Sequence, residues 1–136
     1  MRMSKMKKWK KIVLICTGTL IIAIIGFGLL VTDGLSEGMR VSIEGVDLSN
    51  IPDGSYIGSY EFKRWSNSVI VHVSDNRITG IEMHEDVFGA TVTDAFGDIV
   101  DRVILAQDTT VDAVSGATVT SKAYLKAIED ALTTQD

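Results

Sequence analysis

The chain has 136 residues, 46% of them hydrophobic and 23% charged, with 13 Lys and Arg against 18 Asp and Glu and a formal net charge of −5. Six of the bases precede Ile12, whereas the other seven and all eighteen acids follow Val31, so the part after Val31 carries a formal charge of −11. Such a surface as a whole repels nucleic acid and anionic lipid heads, which excludes a basic-patch nucleic-acid binder, and its length holds one small core but not two.

At the N-terminus, Arg2, Lys5, Lys7, Lys8, Lys10 and Lys11 have no acid among them, and Ile12 to Val31 then runs for twenty residues without a charge. At about 1.5 Å per residue this stretch is about 30 Å long, the thickness of a bilayer core. Residues 1–11 read as a cytoplasmic basic segment, 12–31 as a transmembrane anchor, and everything from Thr32 as extracytoplasmic by the positive-inside rule. A charged start followed by an apolar run also describes a cleaved signal peptide. The run is too long for that, and Gly26-Phe27-Gly28 is a poor imitation of a small-x-small site, so the expected state is an uncleaved anchor. Cys16, the only cysteine, lies inside this run and reads as a small membrane hydrophobe. The external part therefore has no thiol for a disulfide or a metal cluster.

Residues 32–40, with Asp33-Gly34 and Glu37-Gly38, read as a linker to a domain spanning 41–136. Val41 to Ile43 predicts a short strand, and Gly54 to Phe62 alternates with aromatics on one face. Val69, Val71 and Val73 alternate with Ile70 and His72, Asp75-Asn76 marks a turn, and Ile78 to Met83 returns as the second arm of a hairpin. After Gly89 the period changes. Ala95, Phe96, Ile99, Val100, Val103 and Ile104 mark one side of a helix from about Val92 to Ala106, and Tyr124, Leu125, Ile128 and Leu132 mark another from Val119 to Leu132. Strands first and helices after imply an α+β domain: a small antiparallel sheet covered by two helices, preceded by one N-terminal transmembrane helix.

Between the two helices stands Asp112-Ala113-Val114-Ser115-Gly116-Ala117-Thr118. Gly116 is free to take positive φ, and Ser115 and Thr118 offer hydroxyls at the start of the last helix, where unpaired N–H groups and the helix dipole favour an anion. A plain loop and helix cap would use the same small hydroxyl residues. The run resembles the Asp-x-x-Ser/Thr-Gly-Ala-Thr signature of the FMN-binding domain family, found in the flavin subunits of Rnf-type and sodium-pumping NADH:quinone oxidoreductase complexes. The resemblance extends from Asp53 to Leu132 and includes an Asp-Gly-x-Tyr-x-Gly opening at Asp53, Gly54, Tyr56 and Gly58. Where many members have glycines after the first strand, this chain has Phe62-Lys63-Arg64-Trp65-Ser66-Asn67.

The resemblance implies that Thr118 carries FMN through a phosphodiester, with Ser115, Gly116 and Ala117 forming the attachment segment and Asp112 helping a flavin transferase to hold it. No His or Lys adjoins Thr118 in sequence, so the activating base and metal would come from that transferase. A membrane electron donor, such as a dehydrogenase or quinol, and an external acceptor would be the redox partners. The expected role is an electron carrier more than an independent catalyst. The rival readings are a tethered module that binds FMN reversibly or not at all, and a small external flavin reductase. Tyr56, Tyr60, Trp65 and Phe88 are candidates to stack on the flavin ring, although each also suits core or strand packing. His72 and His84 are the only candidates for a metal pair, at positions that equally suit cross-strand packing.

Overall fold

The computed structural model describes residues 2–87 and 93–134, which fall into two compact units, Met1–Ser36 and Glu37–Asp136. The first unit is one helix, α1 (Arg2–Thr32), long and apolar enough to cross a membrane. Its three threonine hydroxyls are satisfied within the helix: Thr17, Thr19 and Thr32 donate to carbonyls three and four residues earlier at 3.0–3.3 Å. This is how an apolar helix accommodates threonine without an unpaired donor. Gly34, at φ 84°, follows its end in the left-handed conformation that commonly stops a helix. The expected linker contains a short helix, α2 (Leu35–Arg40).

Residues 41–47 form no strand, which corrects the reading of Val41 to Ile43. Among the described residues the segment pairs with no strand and is pinned by side chains instead: Glu129 accepts the N–H groups of Glu44 and Gly45 at 2.6 and 2.8 Å, and Asp108 accepts that of Val46 at 3.1 Å. After a single 3-10 turn at Leu48–Asn50 come β1 (Gly54–Tyr60), β2 (Asn67–Ser74) and β3 (Arg77–Asp86), joined as an antiparallel sheet in the order β1-β2-β3. The β2–β3 turn takes Asp75 and Asn76 at φ 52° and 57°, the paired positive values of a two-residue hairpin turn. Asp53 fixes its tip by accepting from the Asp75 N–H at 2.8 Å and the Ser74 hydroxyl at 3.3 Å.

One face of the sheet carries Val69, Val71, Val73, Ile78 and Ile81 into the core, where they meet Ile99 and Val103 of α3 (Thr93–Ala106) and Tyr124, Leu125, Ile128 and Leu132 of α4 (Thr118–Thr133). Helix α4 lies on β1 and β2, and α3 packs against α4 and β3. The approach of α4 to β1 is close enough to require Gly58, since a Cβ there would stand 2.1 Å from the Ala127 carbonyl oxygen and 2.2 Å from the Ala131 nitrogen. The architecture is the α+β layout of an antiparallel sheet, covering helices and an N-terminal apolar helix.

Candidate functional site

The segment from Gln107 to Ala117 connects α3 to α4 and is tied to the body of the domain at every stage. Gln107, left-handed at φ 56°, caps α3 through its N–H to Val103 and uses its side-chain amide like a strand residue, exchanging hydrogen bonds of 2.7 and 3.0 Å with the Ile78 backbone. Asp108 accepts from Val46, Thr109 and the Thr110 hydroxyl. Its burial pushes the carboxyl pKa up, but those hydrogen bonds outweigh it and hold the group below the ordinary carboxylate value. The Thr109 side chain is fully buried and donates to Glu129 at 3.3 Å. Glu129, only 6% exposed, thereby joins the motif segment to residues 44 and 45, and Lys126 completes its coordination at 2.7 Å.

The motif itself is held from both helices. Arg102 of α3 donates to the carbonyls of Asp112 and Ala113 at 2.6 and 3.2 Å. Ser121 of α4, fully buried, accepts the Val114 N–H at 3.0 Å and donates to the Ala117 carbonyl at 2.8 Å. Between these clamps the Ala117 N–H bonds the Val114 carbonyl at 3.0 Å with Gly116 at φ 80°, the pattern of a type II turn whose third position demands positive φ. Among the described residues, no atom beyond its chain neighbours lies within 4 Å of where a Gly116 Cβ would be, so conformation, not crowding, selects glycine there.

The result is a rigid turn that exposes Ser115, Gly116 and Thr118 and leaves Ala117 half-buried. Thr118 is the first residue of α4. The cap position belongs to Ala117, which supplies no side-chain cap. Among the described residues the Thr118 hydroxyl, which is exposed, makes no hydrogen bond. The first N–H groups of α4 likewise have no intrahelical acceptor, so the end of a 16-residue helix presents an uncapped donor cluster beside a free hydroxyl. Asp112 is exposed at the other end of the segment, and its carboxylate accepts no hydrogen bond among the described residues. Lys122, one turn into α4, is committed elsewhere: its ammonium donates to the carbonyls of Met39 and Val41 at 2.6 and 2.8 Å.

Three of the four aromatic candidates have packing partners within the domain. Tyr56 and Tyr60 lie against the core, with the Tyr56 hydroxyl donating to the Pro52 carbonyl at 2.6 Å. Trp65 stacks on Phe62 at 5.9 Å between centroids, and Phe88 lies outside the described residues. His72 has both ring nitrogens engaged, with the Ser55 hydroxyl at 2.7 Å and the Glu82 carboxylate at 3.4 Å across the open sheet face. His84 is exposed on β3, and among the described residues no group of three His, Cys, Asp or Glu is placed to hold a metal.

Sequence reasoning missed Arg102 and the roles of Ser121 and Gly38. The available signal for Arg102 was a lone base on a helix with Asp94, Asp98 and Asp101. For Gly38 and Ser121 the signal is tertiary: a Cβ on Gly38 would stand 2.3 Å from a Val119 methyl, which packs α2 on the first turn of α4.

The site so described belongs to a small α+β domain in which Thr118 opens α4 and the cap position supplies no side-chain cap. Residues 66–133, half of the chain, match the FMN-binding domain family. The chain belongs to that family, and the matched stretch runs from the start of β2 to the end of α4, including the whole motif. No curated protein matches the chain.

Proposed function

We propose that this protein is a membrane-anchored, extracytoplasmic electron carrier in which FMN is joined to the Thr118 hydroxyl by a phosphodiester. The observation that carries the proposal is the free Thr118 hydroxyl on the uncapped start of α4. A phosphate on that oxygen would face the unpaired N–H groups and the positive end of the helix dipole, a gain of about 0.3–1 kcal/mol. The fit extends to the surroundings: the turn is rigid, exposed and preceded by Asp112, so a second protein can grip it.

Attachment is the work of a flavin transferase. The FAD pyrophosphate is cleaved, AMP leaves, and the FMN phosphorus bonds to Thr118 Oγ1 as the hydroxyl proton passes to a base. Among the described residues no base is hydrogen-bonded to that hydroxyl, and Lys122 is held on the Met39 and Val41 carbonyls. Asp112, its carbonyl held by Arg102 and its side chain exposed, is the recognition group. Bound FMN supplies the one- and two-electron chemistry that no side chain here can. The protein's own part is to tether, orient and keep the group outside the membrane, with α1 as anchor and residues 1–11 on the cytoplasmic side. A membrane dehydrogenase or quinol would reduce the carrier and an external acceptor oxidise it.

The test is the denatured intact mass of the full chain coexpressed with a flavin transferase, followed by peptide mapping. The expected result is a gain of one FMN less one water, located on Thr118, abolished in Thr118→Ala, retained in Thr118→Ser and slowed in Asp112→Asn. Flavin that survives denaturation in Thr118→Ala would place the linkage elsewhere. No gain at all, beside a transferase that loads another substrate, would leave a tethered module with a noncovalent ligand.

A further inference from the structure

Helix α3 and the chain that follows it border an open groove beside the motif. Its walls are Arg102, Leu105 and Ala106 of α3 with Thr110, Val111 and Asp112 of the connecting segment, and its volume is about 610 Å³. That size falls within the range of small-molecule sites, about 300–1,000 Å³. We propose that the flavin ring carried on Thr118 folds back into this groove and rests on Leu105, an inference that depends on the attachment proposed above.

The lining explains why a flat apolar ring belongs there. Arg102, Leu105 and Ala106 stand three and four residues apart and share one face of α3, while Ile99 and Val103 turn into the core. Leu105 is 88% exposed, the most exposed large apolar side chain among the described residues, and a ring laid on it removes that surface from water. The groove is also continuous with the attachment loop. Asp112, the first residue of the motif, forms part of its wall, and Arg102 both walls it and donates to the Asp112 and Ala113 carbonyls at 2.6 and 3.2 Å. Seat and loop are therefore held by the same side chain. Two other hollows, one beside Glu129 and Asp130 and one beside Glu61 and Glu85, border no motif residue.

The groove lies within reach of the tether. The Ala117 N–H closes a turn on the Val114 carbonyl and doubles the chain back. With Cα atoms 3.8 Å apart along the chain and less than about 7 Å across the turn, Thr118 Cα stands at most about 18 Å from that of Asp112. The phosphate and five-carbon ribityl tail extend over about 12 Å, and three fused rings add about 8 Å more. Seated in this way, the ring has one face on the protein and the other open to a redox partner, as a carrier requires.

The full chain, coexpressed with a flavin transferase and purified in neutral detergent, is compared with Leu105→Asp, Leu105→Trp and Ile57→Asp. Ile57, 64% exposed on β1, controls for placing a charge on an exposed apolar residue elsewhere, and neither position is buried in the fold. Denatured intact mass reports attachment in each chain, and iodide quenching of the flavin fluorescence reports how much of the ring is shielded. All four should carry the FMN mass. Leu105→Asp should lower the shielded-to-free ratio about tenfold. Leu105→Trp should raise it about fivefold by stacking and dim the flavin emission, and Ile57→Asp should match the parent. The FMN mass in all four, with equal iodide quenching in the parent and both Leu105 variants or with Ile57→Asp changed as much as Leu105→Asp, would overturn the seat and leave the attachment standing. No FMN mass in the parent would overturn the attachment and the seat with it.

Discussion

Gly58→Ala adds one methyl where β1 meets α4, and the surroundings are backbone that cannot swing aside. The new Cβ would lie 2.1 Å from Ala127 O, 2.2 Å from Ala131 N and 2.7 Å from Ala131 Cα, whereas ordinary contact begins at 3.4 Å. Helix α4 must retreat by about 1.3 Å to restore contact. That retreat opens a gap along Ala127, Ile128 and Ala131, all buried against the sheet. Overpacking with backbone displacement costs about 3 kcal/mol, which in a domain of this size is roughly a 12–24 °C fall in Tm. Urea and thermal unfolding of the detergent-solubilised chain measure it, with Gly54→Ala as the control. Gly54 lies on the same strand, but its nearest neighbour is the Tyr56 hydroxyl at 3.5 Å, so that methyl has room. Equal losses in the two variants would refute the reasoning, because strand propensity rather than the helix approach would then explain Gly58. Because α4 begins at Thr118, the same displacement should also slow flavin loading in Gly58→Ala and leave Gly54→Ala at the parental rate.

Glu129→Ala leaves the N–H groups of Glu44 and Gly45 and the Thr109 hydroxyl without their acceptor. A loss of about 2–4 kcal/mol in urea unfolding is expected, with rapid amide exchange at residues 44 and 45, and unchanged protection there would contradict the assignment. Ser121→Ala removes the clamp between Val114 and Ala117. It should cost about 1–3 kcal/mol and slow loading at Thr118 by more than the stability loss explains under native conditions, while loading at the parental rate would mean that the turn holds without it. Tyr124 sits buried with its hydroxyl on Asp86 at 2.9 Å, and burial followed by that carboxylate pushes its pKa well above the ordinary 10.0. Above about pH 10 the unfolded chain loses this proton and the folded one keeps it, so stability falls as pH rises. Between about pH 9 and about pH 11 the urea midpoint of the parent should therefore drop further than that of Tyr124→Phe, and parallel curves would rule the tyrosine out.

The sequence by itself determined the elements whose signal is local. An uncharged run of twenty residues makes a helix that water cannot cover, the period-2 valines of β2 must turn one face to a core, and Asp75-Asn76 tolerates the positive φ a tight hairpin needs. The motif was legible for the same reason, since its seven residues are contiguous and its glycine answers to backbone geometry alone. Val41 to Ile43 was misread because alternation shows only that a segment could pair. Among the described residues it pairs with no strand, and the chain just beyond it is pinned by the Glu129 carboxylate, 85 residues away from Glu44, which accepts the Glu44 and Gly45 N–H groups.

What only the tertiary structure decided is which residues hold the motif and which leave it free. Arg102 and Ser121 lie on different helices and meet the segment only because α3 and α4 pack side by side, an arrangement with no period in the sequence. Gly58, read as part of the Asp-Gly-x-Tyr-x-Gly opening, and Gly38, read as linker, prove to be places where another element comes too close for a Cβ. That Thr118 does not cap α4 was likewise invisible, because small hydroxyl residues look alike in sequence whether or not they cap a helix. Folding separates them, by burying Ser121 in a clamp and placing Ala117 at the cap.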